Sequence, residues 1–247
     1  MGKFFFKYRG QIPVFVLVLA FPILYFSNHI QNLVLDFNVN ILSLFLVLFG
    51  CIFRYLAIGF SYPNTSGRNR DSQVADKLNK HSLYSITRNP LYLSNMLIWT
   101  GVVIRSSNLL YVLFCLAIMI SMYNIIINHE EFFLKNKFKD EFISWKKTTP
   151  KLIPNFFIYK KSSNKFNYKS LLRREYSGLL AILICIAYID TLQTYISSSY
   201  LLISNNLLYL IITMITISLI LKYLRKNTTI LDDWFCRFKL YLQALAW

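Results

Sequence analysis

Long apolar runs alternate along the chain with basic, polar segments. Continuous apolar stretches cover residues 12–27, 39–60, 91–104, 109–128, 176–196 and 207–224. A helix needs roughly 20 residues to cross the hydrocarbon core of a bilayer. Backbone polar groups in lipid must be satisfied within the segment, and these runs do not alternate as barrel strands do. The expected fold is therefore all-α, a polytopic membrane protein with about six transmembrane helices. The first run follows basic residues, as a signal peptide does. It has no small-residue cleavage site, however, and bulky residues continue through Ile23-Leu24-Tyr25-Phe26. It reads as an uncleaved spanning helix, kinked or adapted at Pro22.

Runs 91–104 and 109–128 are joined only by Arg105-Ser106-Ser107-Asn108. So short a turn makes an antiparallel hairpin over about residues 90–128. The hairpin brings Arg88-Asn89-Pro90 and Glu130-Glu131 to one membrane face. Beyond it, Phe132, Phe133, Phe138, Phe142 and Trp145 recur at near-helical spacing among charged residues. They predict an amphipathic helix lying in the interface, ended by Pro150 and Pro154. Residues 230–247 read as a short amphipathic tail. Three regions follow: an N-terminal helix with its outer loop (1–38), a membrane core (39–157), and a basic linker with two C-terminal helices and the tail (158–247).

Composition supports this reading. The chain is 55% hydrophobic and 15% charged, against about 25% charged in soluble domains. A net charge of +16 would point to nucleic acid in a soluble protein. Here no nucleic-acid partner is expected, because the cations lie where topology places them. Apart from Arg54 and Arg105, every Lys and Arg falls before residue 10, in 61–89, in 129–174 or after 221. With six spans those segments share one side, which the positive-inside rule makes cytoplasmic. Both termini and the hairpin mouth are then cytoplasmic, and the basic face meets anionic lipid head groups. Cys51, Cys115, Cys185 and Cys236 form no CxxC pair and read as small core residues. The three histidines are scattered, and no metal site is expected.

Several residues carry two readings. Arg54 lies roughly six residues, about 9 Å, inside its helix. It is either a snorkelling arginine or an anion-binding group. Arg68, beside Gly67 and Arg70, either clamps a phosphate or carboxylate or belongs to a solvated loop. Arg88-Asn89-Pro90 opens a helix with proline in its first turn, and the freed amides there favour an anionic group. Tyr84 and Tyr92 flank this stretch. Glu130 and Glu131 could hold a cationic ligand or ribose hydroxyls, or one could pair with Arg88. Arg105 reads as snorkelling, and Asp190 as a partner in helix packing.

Tyr84…Arg88-Asn89-Pro90-Leu91-Tyr92, then Glu130-Glu131-x-x-Leu134-x-x-x-Phe138 and Ile153-Pro154, form a combination. It resembles the membrane methyltransferases that include isoprenylcysteine carboxyl methyltransferases and phospholipid methyltransferases. The resemblance covers about residues 40–157. It implies S-adenosylmethionine as cofactor, bound at the hairpin mouth by Tyr84, Arg88, Asn89, Pro90, Tyr92, Glu130 and Glu131. It also implies a lipid acceptor that enters from the bilayer. Asn89 replaces the family's His, Lys139 its Gly, and Phe142 and Trp145 its tyrosines. Methyl transfer to an anionic oxygen needs no general base, so positioning and desolvation would supply most of the catalysis. Arg54 and Arg68 would hold that acceptor. Two alternatives stand beside this reading. One is a nicotinamide-dependent reductase of the sterol reductase type, against which Leu91 and Leu93-Ser94-Asn95 depart from the motif. The other is a non-catalytic membrane scaffold.

Overall fold

Short polar residues fix where the long helices begin. Asn38, Asn108, Asn167 and Ser204 each accept a hydrogen bond from the amide three residues on. They thereby satisfy donors that a helix start would leave open. The computed structural model describes residues 1–27, 38–62, 65, 73–162, 164–201 and 203–231. In chain order the helices are α1 (Gly2–Tyr8), α2 (Ile12–Val18), α3 (Ala20–Ser27), α4 (Val39–Gly59), α5 (Leu83–Ile86), α6 (Pro90–Ile104), α7 (Leu109–Thr148), α8 (Tyr168–Ser198) and α9 (Asn205–Asn227). Among the described residues there is no β-strand, as expected.

Among the described residues four helices are long and apolar enough to cross a membrane, α4, α7, α8 and α9, so the exact count of six is not confirmed. The segment Gly2–Tyr8 with Ile12–Ser27 makes a fifth candidate, bent by 71°. Helix α6 has only 15 residues, about 22 Å of rise against a core of about 30 Å. Its partner in the hairpin, α7, carries the apolar run 109–128. Pro90 is therefore level with about residue 124 of α7 and not with the end of that run. The adaptation expected at Pro22 falls at Leu19, where α2 ends. Pro22 has no N–H for the carbonyl of Val18, so the helix breaks just upstream of it. Of the tail at 230–247, all but Ile230 and Leu231 lies outside the described residues.

The largest correction concerns the amphipathic stretch. It is not a separate helix in the interface. Residues 130–138 continue α7, and the chain then reverses at Lys139, whose φ of 42° and ψ of −116° interrupt the helix. Lys146 Nζ reaches Glu131 Oε2 at 2.7 Å; on an unbroken helix these residues would be about 22 Å apart. Phe142 and Trp145 do not face lipid. They are buried and pack with Leu78, Tyr84, Leu134 and Phe138.

The core is the seam between α4, α6 and α7. One stripe of α7 (Tyr111, Cys115, Met119, Met122, Tyr123 and Ile126) is buried along its length. Helices α4 and α6 approach closely at two glycines. A Cβ on Gly101 would lie 2.8 Å from the Ser43 carbonyl oxygen, and one on Gly50 would lie 3.0 Å from that of Ser94. Small residues give membrane helices this kind of contact. Helix α8 is held towards its C-terminal end by Asp190, which pairs with Arg105 after α6. Arg105 is therefore paired as well as peripheral, and Asp190 has the packing partner expected of it.

The backbone at Lys139 supports a prediction. This region favours glycine, and an L side chain there costs about 1–2 kcal/mol. Lys139 is exposed, so its side chain gives little in return. Lys139→Gly should stabilise the protein by about 1 kcal/mol, raising the thermal midpoint in detergent by a few degrees. A lower midpoint would contradict the strained reversal.

Candidate functional site

Arg88 organises the mouth of the hairpin. Its Nε and Nη2 donate to Glu131 Oε1 at 3.0 and 2.8 Å. Its Nη1 donates to the carbonyls of Lys146, at 3.2 Å, and of Thr149. Its amide donates to Pro150 O at 2.9 Å. The neighbours do the same work: Thr87 Oγ1 donates to Leu152 O at 3.0 Å, and Asn89 Nδ2 to Lys151 O at 2.9 Å. The segment before α6 is thus laced to the chain that returns after the Lys139 reversal. Lys146 completes the set on Glu131 Oε2. Of the alternatives open for Glu131, the structure shows the ion pair with Arg88, and Glu131 faces that clamp.

Against this clamp lies a cavity of about 510 Å³, within the range of small-molecule sites. Tyr84, Arg88, Asn89, Pro90, Tyr92, Glu130 and Arg54 all line it. Seven of the nine residues singled out in the sequence therefore share one cavity. Glu131 lies behind the wall, and Arg68 lies outside the described residues. Glu130 and Glu131, adjacent in sequence, have different surroundings. Glu130 faces the cavity and accepts a 2.7 Å hydrogen bond from the Tyr92 hydroxyl. Arg9 Nη1 is 3.8 Å from the same oxygen. Phe133, Leu134, Leu78 and Trp145 give the cavity an apolar side. Burial, and then the charge of Glu130, push the Tyr84 hydroxyl well above the usual phenol range. Tyr84 is therefore a neutral donor at physiological pH, not a base. Gln73 also lines the cavity, and its buried Nε2 has no partner among the described residues.

Arg54 is more fully engaged than the sequence indicates. Its Nε and Nη2 donate to the two oxygens of Glu175, at 2.8 and 3.0 Å, and its Nη1 donates to Asn95 Oδ1 at 2.7 Å. It is paired within the protein, by Glu175 of α8 and Asn95 of α6. Sequence reasoning missed Glu175, which it left in the basic linker. The available signal was a single acid following two arginines (Arg173, Arg174) at the start of an apolar run. It also missed α1 and the turn after it, which contribute Phe6 and Arg9 to the cavity. The cavity thus takes walls from both ends of the chain.

The comparison with known families bears on the middle of the chain. Residues 39–141 match the model of the phospholipid methyltransferase family. This stretch is similar to that family. Membrane methyl transfer is the activity it implies, and the motif resemblance read from the sequence agrees with it. No curated protein and no solved structure matches the chain significantly. The phospholipid methyltransferase stretch carries α4 to α6 and the Glu pair. It ends two residues past the Lys139 reversal. The loop that holds Arg88, and the α1 and α8 walls of the cavity, lie outside it.

Two stability predictions follow from these ion pairs. Glu131→Ala leaves Arg88 a buried charge without its carboxylate, which costs about 3–5 kcal/mol. The thermal midpoint in detergent should fall on the order of 10 °C. A fall within error would show that the clamp is dispensable. Arg54 and Glu175 should couple by about 1–3 kcal/mol in a double-mutant cycle with alanine. Additive losses would contradict their pairing across α4 and α8.

Proposed function

We propose that the protein is an S-adenosylmethionine-dependent methyltransferase whose cavity at the start of α6 binds the cofactor beside a membrane lipid acceptor. One observation carries the reading. Tyr84, Arg88, Asn89, Pro90, Tyr92 and Glu130, all within the phospholipid methyltransferase stretch, line a single cavity of suitable size. The donor set fits the cofactor. Glu130, held by Tyr92, suits its ammonium group or ribose hydroxyls. The amides and positive dipole end that open α6 suit its carboxylate. Phe133, Leu134 and Trp145 offer an apolar surface for a base, and Gln73 Nε2 has a hydrogen bond to give. S-adenosylmethionine, when bound, supplies a methyl group activated on a sulfonium. The protein's part is to position the two partners and exclude water.

The acceptor we propose is a membrane lipid that reaches the cavity from the bilayer. Arg54 and Arg68 were the grounds for expecting an anionic oxygen. Arg54 is neutralised by Glu175, while Arg174 lines the same wall; charges of both signs there suit a head group that carries a phosphate. With α6 counted as a span beside the five candidates, the positive-inside rule would put the cavity mouth and both termini on the cytoplasmic side, where the cofactor is available.

Calorimetric titration of the detergent-purified protein with S-adenosylhomocysteine tests this reading. Wild type should bind, and Glu130→Ala should weaken binding by tenfold or more. Glu130 is the acid to replace, because loss of Glu131 would disturb the Arg88 clamp. A folded wild type that binds no S-adenosylhomocysteine would overturn the proposal. If it bound a nicotinamide nucleotide instead, the reductase reading would take its place.

A further inference from the structure

The loop after the reversal, residues 150–161, combines features that a water-exposed loop does not need. Ile153, Phe156 and Phe157 project from it, and Phe157 is fully exposed at 102%. Its depth is fixed by Lys151, whose Nζ donates to Asn124 Oδ1 at 2.9 Å and Asn128 Oδ1 at 3.0 Å. Those asparagines occupy the last turn of the apolar run of α7. Leu152 packs against the main core, and Thr87 and Asn89 bind the loop to the start of α6. The loop therefore runs beside the membrane ends of α6 and α7 and not above them.

Irregular backbone at that depth is tolerated only where its polar groups are satisfied. Those of this loop largely are. The carbonyls of Pro150, Lys151 and Leu152 accept from Arg88, Asn89 and Thr87. Asn155 N donates to Ile86 O at 2.9 Å, and Phe157 N to Asn155 Oδ1 at 3.1 Å. Tyr159 N donates to Phe156 O at 3.3 Å, and Lys160 N to Ser85 Oγ at 2.9 Å. Lys147, Lys160 and Lys161 are exposed at its two ends. Apolar side chains flanked by lysines are the pattern of an element seated in an anionic membrane surface.

We propose that residues 150–161 are embedded in the lipid interface of an anionic membrane. Ile153, Phe156 and Phe157 lie among the upper acyl chains, and Lys147, Lys160 and Lys161 lie at the phosphates. This inference does not rest on the methyl-transfer reading. It also gives the loop a second role, because the carbonyls that hold Arg88 and Asn89 belong to the element that lipid holds in place.

The test uses the full chain reconstituted into vesicles of phosphatidylcholine and phosphatidylglycerol. Phe157→Trp adds one fluorophore, read as the difference from the unsubstituted protein, with Ile153→Trp as a second reporter. The added emission should be blue-shifted, protected from aqueous acrylamide, and quenched severalfold by lipids brominated near the top of the acyl chains. Quenching by acrylamide and not by brominated lipid would place the loop in water and overturn the proposal. Protection from both would show that protein covers the loop, and would equally overturn it. At equal mole fraction, brominated phosphatidylglycerol should quench more than brominated phosphatidylcholine. The triple change Lys147→Gln, Lys160→Gln and Lys161→Gln should remove that difference. Equal quenching by the two lipids in the unsubstituted lysine background would overturn the anionic preference.

Discussion

Arg88 must be held at the edge of a membrane, and much of the structure near the hairpin mouth answers that requirement. A guanidinium leaving water loses strong solvation, and a single carboxylate does not replace it. Arg88 has Glu131 from α7 and two carbonyls from the returning chain. Those carbonyls are within reach only because α7 reverses at Lys139, so the strained backbone there and the satisfied charge here belong together. The reversal also buries Phe142 and Trp145 over α5 and closes one side of the cavity. A buried charge network of this kind adds little to net stability. It does select one arrangement of the hairpin mouth among many with similar apolar burial.

Much of the site was legible in the sequence because its parts are short-range. Arg88-Asn89-Pro90 is contiguous, the turn at 105–108 is too short for anything but a hairpin, and the Glu pair lies at its far mouth. Hydropathy alone located the apolar runs. What it could not give was depth. Residues 91–104 read as a span, yet α6 has 15 residues and starts below the end of the apolar run of α7. Nor could near-helical spacing of aromatic residues distinguish a helix lying on lipid from one folded back onto protein. Phe142 and Trp145 fit both, and the deciding conformation at Lys139 is one that propensity argues against. The family comparison of Lys139 with glycine held the clue, since glycine is the residue such a backbone favours.

Long-range pairing accounts for the rest. Arg54 and Arg105 were both legible as charges near a membrane, but a cation's partner cannot be read from its own segment. Both partners lie on α8. Glu175 meets Arg54, and Asp190 meets Arg105. The two acids are 15 residues apart, a rise of about 22 Å, which is also the rise of α6. Helix α8 is thus held at two levels against the α4–α6 seam. A slip by one residue would rotate both acids away from their partners and strand four charges. The alternation of cation on the family stretch and acid on α8 therefore fixes the register of a helix that has few other buried side chains.

This arrangement separates two tasks within the cavity. The phospholipid methyltransferase stretch supplies the face built on the start of α6, with Tyr92 and Glu130 in direct contact. Helix α8 and the N-terminal segment line the cavity as well, and neither is part of the matched stretch. Glu175 joins α8 to α4 by neutralising Arg54, so the charge presented to a ligand depends on a residue outside the matched segment. If the cofactor occupies the α6 face, as proposed, the acceptor must lie nearer α8, because methyl transfer requires the two reactants to be in line and in contact. The residues that select the acceptor would then be Arg174, Glu175 and the small side chains that follow them on α8. On that view the family's motif carries the donor's chemistry, and a helix without family signature chooses the lipid.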